Sequence, residues 1–144
     1  MRDITASGSF ITLTSTVTFP NGIVLSALAD DQDPLDFDEL TISQTGMGLN
    51  GDLVVWSKPV PVPVKIAVIA TSEDDINLNT LFKAVKPAKG RRGSREKIDI
   101  EVNYADGTTK KMVGGIITSG IDGNALSSEG RFKTKVYGFT FEAA

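Results

Sequence analysis

The chain has 144 residues, 40% of them hydrophobic and 23% charged, the balance of a globular protein with one core and not of a disordered segment, so residues 1–144 are read as a single domain. A net charge of −3 and a pI near 4.9 argue against a nucleic-acid partner, because such binding draws on Lys and Arg neutralising phosphates. Neither Cys nor His occurs, which removes disulfides, thiolate chemistry, the usual zinc sites and imidazole catalysis, and leaves Ser, Lys or paired carboxylates as the only catalytic material.

Taken in order, residues 10–19 are rich in β-branched and aromatic side chains and mostly alternate apolar with hydroxyl groups, which predicts a strand. Pro20-Asn21-Gly22 supplies a turn, and residues 23–28 resume an extended pattern, so the two runs form a hairpin. Residues 29–39 are acidic, carry Pro34 and read as a long loop before a short strand at 40–43. The run Gly46-Met47-Gly48-Leu49-Asn50-Gly51 breaks that pattern. Two strands follow at 52–57 and 62–69, and the prolines at 59, 61 and 63, which cannot donate to a ladder, place an edge or a strand start there.

The period then changes. Ser72 stands ahead of Glu73-Asp74-Asp75 as a helix cap with acids in the first turn, and Leu78, Leu81, Phe82 and Val85 form one apolar stripe before Pro87 stops the helix. Lys89 to Arg95 is a basic loop with glycines. Residues 96–104 alternate and connect through Asp106-Gly107 to 109–113 as a hairpin. After a glycine-rich stretch at 114–130 that contains Ile116-Ile117-Thr118, residues 132–141 alternate again, with either Val136 or Tyr137 on the buried face. About eight strands and one helix without an internal repeat predict a mainly β fold, an antiparallel β-sandwich or barrel-like sheet pair with one flanking α-helix.

Asp30, Asp31, Asp33, Asp36, Asp38 and Glu39 offer oxygens for Ca²⁺, but counting from Asp31 puts Asp36 where an EF-hand needs Gly and Ile42 where it needs Glu. A solvated loop or an intersubunit contact fits them better, and no metal or cofactor is expected. A glycosidase pair among these acids lacks the aromatic cleft such chemistry uses, since the chain has one Trp and two Tyr. The basic loop has no aromatic interleaving for base stacking. It is either a solvated loop or, with Arg91, Arg92 and Arg95, the complement of the acidic loop on a neighbouring copy. The glycine run at 46–51 leads into a strand and not a helix N-terminus, which makes it a poor phosphate site; Met47, Leu49 and Asn50 suit a segment that orders on a partner or packs as a turn.

Several of these motifs, in this order, resemble a family of phage tail tube proteins of myophages and prophages. They are Ala29-Asp30-Asp31-Gln32-Asp33-Pro34-Leu35-Asp36, residues 48–58 through Trp56-Ser57-Lys58, Ser72-Glu73-Asp74-Asp75-Ile76-Asn77-Leu78 with Leu81-Phe82, Tyr104-Ala105-Asp106-Gly107, residues 115–120, and residues 130–142. The resemblance implies a non-enzymatic virion protein: a β-sandwich with one helix, assembled as hexameric rings that stack into a hollow tube for genome delivery. Strands of all subunits in a ring would join around the lumen. A contractile sheath would lie outside, with tape measure protein and DNA passing transiently inside. An acidic lumen would let phosphate slide, and ring closure would remove exposed strand edges. Ring contacts would fall on Asp30, Asp31, Asp33, Asp36, Asp38, Met47, Leu49, Asn50, Arg91, Arg92 and Arg95. No apolar run approaches the roughly 18 residues that cross a bilayer, and the first residues lack the apolar core of a signal peptide, so assembly is expected in the host cytoplasm. A monomeric tail completion or baseplate adaptor of the same fold class is the alternative.

Overall fold

Residues 2–143 are described by a computed structural model. Strand β1 (Phe10–Ser15) pairs antiparallel with the short β2 (Ile23–Leu25), Ile11 opposite Leu25. Between them Gly22 closes the turn by donating its N–H to the Phe19 carbonyl at 3.0 Å, in a left-handed conformation with φ of 83° that suits a residue without Cβ. Next come β3 (Leu35–Phe37), β4 (Ser43–Met47), β5 (Leu53–Ser57) and β6 (Val62–Val68). Helix α1 (Glu73–Val85) precedes β7 (Ile98–Asn103), β8 (Thr109–Ser119) and β9 (Lys135–Phe141).

Seven strands form one antiparallel sheet in the order β2-β1-β7-β8-β9-β6-β3, and β4 and β5 pair separately. The sheet becomes a sandwich because β8 turns a corner. Its first part, Thr109 to Met112, pairs with β7; its second part, Ile116 to Ser119, pairs with β9; Gly115 alone faces both, opposite Ile98 and Phe141. The corner is written in glycine. Gly114 adopts φ of 71° and donates its N–H to the Asp99 carboxylate at 3.1 Å, while a Cβ on Gly115 would collide with the Phe141 ring. An extra residue in a left-handed conformation is the usual means of bending a strand between two layers.

The two layers enclose a core. β1, β2 and β7 contribute Ile11, Leu13, Leu25, Ile98, Ile100 and Val102, and β6 and β9 contribute Val64, Ile66, Val68, Tyr137, Phe139 and Phe141. Strict alternation in β1 and β7 buries every second side chain, and in β9 Tyr137 and not Val136 points inward. Helix α1 lays Leu78 and Leu81 against this core, with Phe82 and Val85 at its margin, and Phe82 meets Tyr137 edge to face at 6.5 Å between ring centres.

The segment between β2 and β3 pairs along the outer side of β6. After β2, Ala27 accepts a hydrogen bond from the Ile69 N–H at 3.0 Å, Ala29 donates to Ala67 at 3.0 Å, and Pro34 accepts from Ala67 at 2.9 Å. The stretch 23–37 thus leaves the β1 edge and joins the β6 edge, bringing the sheet close to a closed barrel. Pro63, at the second position of β6, lies beyond the last β3 pair, Phe37 with Val64, so its missing N–H breaks no bond to β3.

Several boundaries depart from the sequence expectation. β3 lies inside the stretch read as an acidic loop, held because Leu35 can reach the partly buried margin of the core opposite Ile66. Strand β4 runs through Gly46 and Met47, and β8 runs unbroken through Gly114 and Gly115; in both places glycine serves close packing or bending within a strand and not its end. Residues 16–19 and 132–134 fall outside the strands.

Candidate assembly surface

The β4–β5 hairpin has no core. Its register pairs Met47 with Leu53, Thr45 with Val55 and Ser43 with Ser57 on one face, and Gly46 with Val54 and Gln44 with Trp56 on the other. A body-packed hairpin would bury one of these faces. Here all residues of β5 are exposed, including Leu53 at 62%, Val55 at 55% and Trp56 at 50%. The turn at its tip is well formed, Gly48 donating to Asp52 at 2.7 Å and Gly51 to Gly48 at 2.9 Å. The Trp56 ring lies across Gly46, where an added Cβ would sit 3.4 Å from it. Isolated two-stranded ribbons are marginal in water, and a contiguous apolar surface with open edges on both strands is the kind of feature that pairs with another chain.

Met47 ends β4, and Leu49 and Asn50 form the exposed tip, so three of the expected contact residues come together on this arm. Leu53, Val54, Val55 and Trp56 were not among the expected ones. An apolar run without alternation reads in a sequence as a strand buried on both faces, and in the structure no layer of this chain covers it.

The acidic and basic residues divide into those engaged within the chain and those left exposed. Asp30 accepts from both terminal nitrogens of Arg131, at 3.2 and 3.1 Å, and these bonds hold its carboxyl below the usual carboxylate value. Asp31 accepts from the Thr134 hydroxyl at 2.5 Å. Arg91 donates to the carbonyls of Lys83 at 2.7 Å and Lys86 at 3.2 Å, a cation on the C-terminal end of α1. Asp33, Asp36, Asp38, Arg92 and Arg95 are exposed and enter no ion pair among the described residues.

Two acids in the first turn of α1 do more than complement its dipole. Asp74 is buried and accepts from the N–H groups of Ser26 at 2.7 Å and Ala27 at 2.6 Å, tying the end of β2 to the helix. Asp75 is buried against Lys135 at 3.4 Å and accepts from the Tyr137 hydroxyl at 2.9 Å and the Thr71 N–H at 3.0 Å. Burial, with the hydrogen bond to Asp75, pushes the Tyr137 hydroxyl well above its ordinary value of 10.0. These groups are satisfied and packed between α1 and β9, an anchor of the helix. Among the described residues no three Asp or Glu side chains come together as a metal site, and no helix is long and apolar enough to cross a membrane.

The fold is thus a β-sandwich from which an apolar, exposed hairpin projects. The sequence profile described as Tail fiber protein gp32 matches residues 2–144, so the chain belongs to that family and is a structural protein of the bacteriophage tail. No curated protein matches the chain. The resemblance to tail tube proteins is thereby supported at the level of a phage tail component, in a virion, and the tube itself is a finer assignment.

Proposed function

We propose that the chain is a tail tube subunit, assembled as hexameric rings that stack into a hollow conduit for the genome. The observation that carries this reading is the β4–β5 hairpin, whose apolar β5 side chains stand in solvent, while the main sheet ends in the three-residue edge strands β2 and β3. A subunit built this way folds alone and still has one ribbon that gains a partner only from another copy. Head-to-tail pairing of such ribbons closes into a ring, and rings with unlike upper and lower faces stack without limit. Inter-subunit pairing is placed on the hairpin, whose two strands are longer than the three-residue edges of the main sheet. Sheath outside and tape measure protein and DNA inside would be the partners of that assembly.

A second reading follows from the family's description as a tail fibre protein: a fibre or baseplate adaptor whose hairpin pairs with a different tail protein. Light scattering and negative-stain microscopy of the purified chain over rising concentration separate the two. Rings or tubes with a central channel, lost in Val54→Asp/Trp56→Asp, support the tube; a monodisperse monomer at every concentration supports the adaptor and overturns the tube.

A further inference from the structure

The basic loop forms one wall of a groove of about 930 Å³ at the corner of β8, lined by Arg91, Arg92, Arg95 and Lys97 together with Glu96 and Glu142. Its floor is fixed. Glu96 is 2% exposed and accepts the Thr18 N–H through Oε1 at 2.6 Å, while its Oε2 is buried without any hydrogen-bond donor. Arg92, Arg95 and Lys97 are exposed and their side chains hold no ion pair among the described residues. The groove thus presents Arg92, Arg95 and Lys97 as cations without an ion partner, with the carboxylate of Glu142 beside them. An occupant that fits these cations is an acidic peptide segment with spaced carboxylates.

The same chain exposes such a segment. Asp33, Asp36, Asp38 and Glu39 are exposed, and none pairs with a cation among the described residues, whereas Asp30 and Asp31 just before them are held by Arg131 and Thr134. In strand order the segment sits at β3, on one margin of the sheet, with β9 and β6 between it and β8. We propose that the groove receives the acidic segment around β3 of a second copy, Arg92, Arg95 and Lys97 meeting Asp33, Asp36 and Asp38. The contact is heterologous, donor site on one copy and acceptor site on the next, so it gives the stack its direction. It rests on the tail tube reading for its place in the assembly, and its chemistry is testable without that reading.

The test is a titration of the full-length protein with a synthetic peptide of residues 32–42, followed by NMR or fluorescence anisotropy at low salt. Binding with a dissociation constant below about 1 mM is expected, weakened about tenfold or more in Arg92→Glu/Arg95→Glu and regained with a peptide carrying Lys at positions 33, 36 and 38. Circular dichroism of the variant verifies its fold, and Arg92→Gln/Arg95→Gln gives the same loss if reversal disturbs the loop. Absence of binding, binding indifferent to these substitutions, or displacement of the peptide by an equal concentration of a single-stranded DNA oligonucleotide overturns the proposal. Peptide binding by a protein that never forms rings leaves the groove assigned and refutes the tube; rings from a protein whose groove ignores the peptide do the reverse.

Discussion

The seven-stranded body and the β4–β5 hairpin use the same kinds of residue and meet opposite fates. Ile98, Ile100 and Val102 in β7 are fully enclosed, because they share one core with the inward side chains of β6, β9 and α1. Leu53, Val54, Val55 and Trp56 in β5, a run at least as apolar, stand in solvent because no layer of this chain reaches them. Apolar content states how much surface must be removed from water, not which surface removes it. In the body the partner layer is intramolecular, and over the hairpin no layer of this chain lies; the proposed assembly would supply one from another copy.

That contrast can be broken by mutation, starting where the effect is largest. Leu78→Ala, deep between α1 and the sheet, is expected to cost about 2–5 kcal/mol in urea unfolding. Asp74→Ala leaves the N–H groups of Ser26 and Ala27 without their acceptor and should cost about 2 kcal/mol, seen in the same measurement, with α1 retained by circular dichroism. Raising pH acts on the anchor of the helix. Tyr137 has its folded value raised above 10.0, so the stability it supports is complete below pH 10 and falls above it, as the unfolded chain releases a proton that the folded one keeps. Melting temperature should therefore drop more steeply above pH 10 in the natural protein than in Tyr137→Phe. Smallest is Val54→Ser/Trp56→Ser in the isolated subunit, under about 0.5 kcal/mol, since these side chains lose little burial. A loss comparable to Leu78→Ala would mean that the hairpin packs on its own body, and the distinction drawn between the two regions would fail.

Much of the body was legible along the chain. The β7–β8 hairpin followed from alternation and Asp106-Gly107, and α1 from Ser72 and the stripe Leu78, Leu81, Phe82 and Val85. Glycine misled twice. At Gly46 it makes room for an aromatic ring, and at Gly114-Gly115 it bends a strand between layers; neither use can be told from a loop until the neighbouring strand is known. The short β3 was hidden for a related reason, since three residues pair with β6 only because Leu35 finds the margin of a core assembled from distant segments. Of the expected contact residues, Met47, Leu49 and Asn50 gather on the hairpin. Asp30, Asp31 and Arg91 are drawn into bonds with Arg131, Thr134 and the end of α1, partners far away or poorly marked in sequence.

By itself the sequence determined the fold class, the helix and its cap, and the lack of thiol and imidazole chemistry, because these depend on local periodicity and on which side chains exist at all. Tertiary structure decided which carboxylates are buried anchors and which are exposed, that residues 27–37 run along the edge of β6, and that the apolar strand β5 faces water. Those properties depend on what lies across from a residue, and a linear order of amino acids contains no such neighbour until the chain has folded.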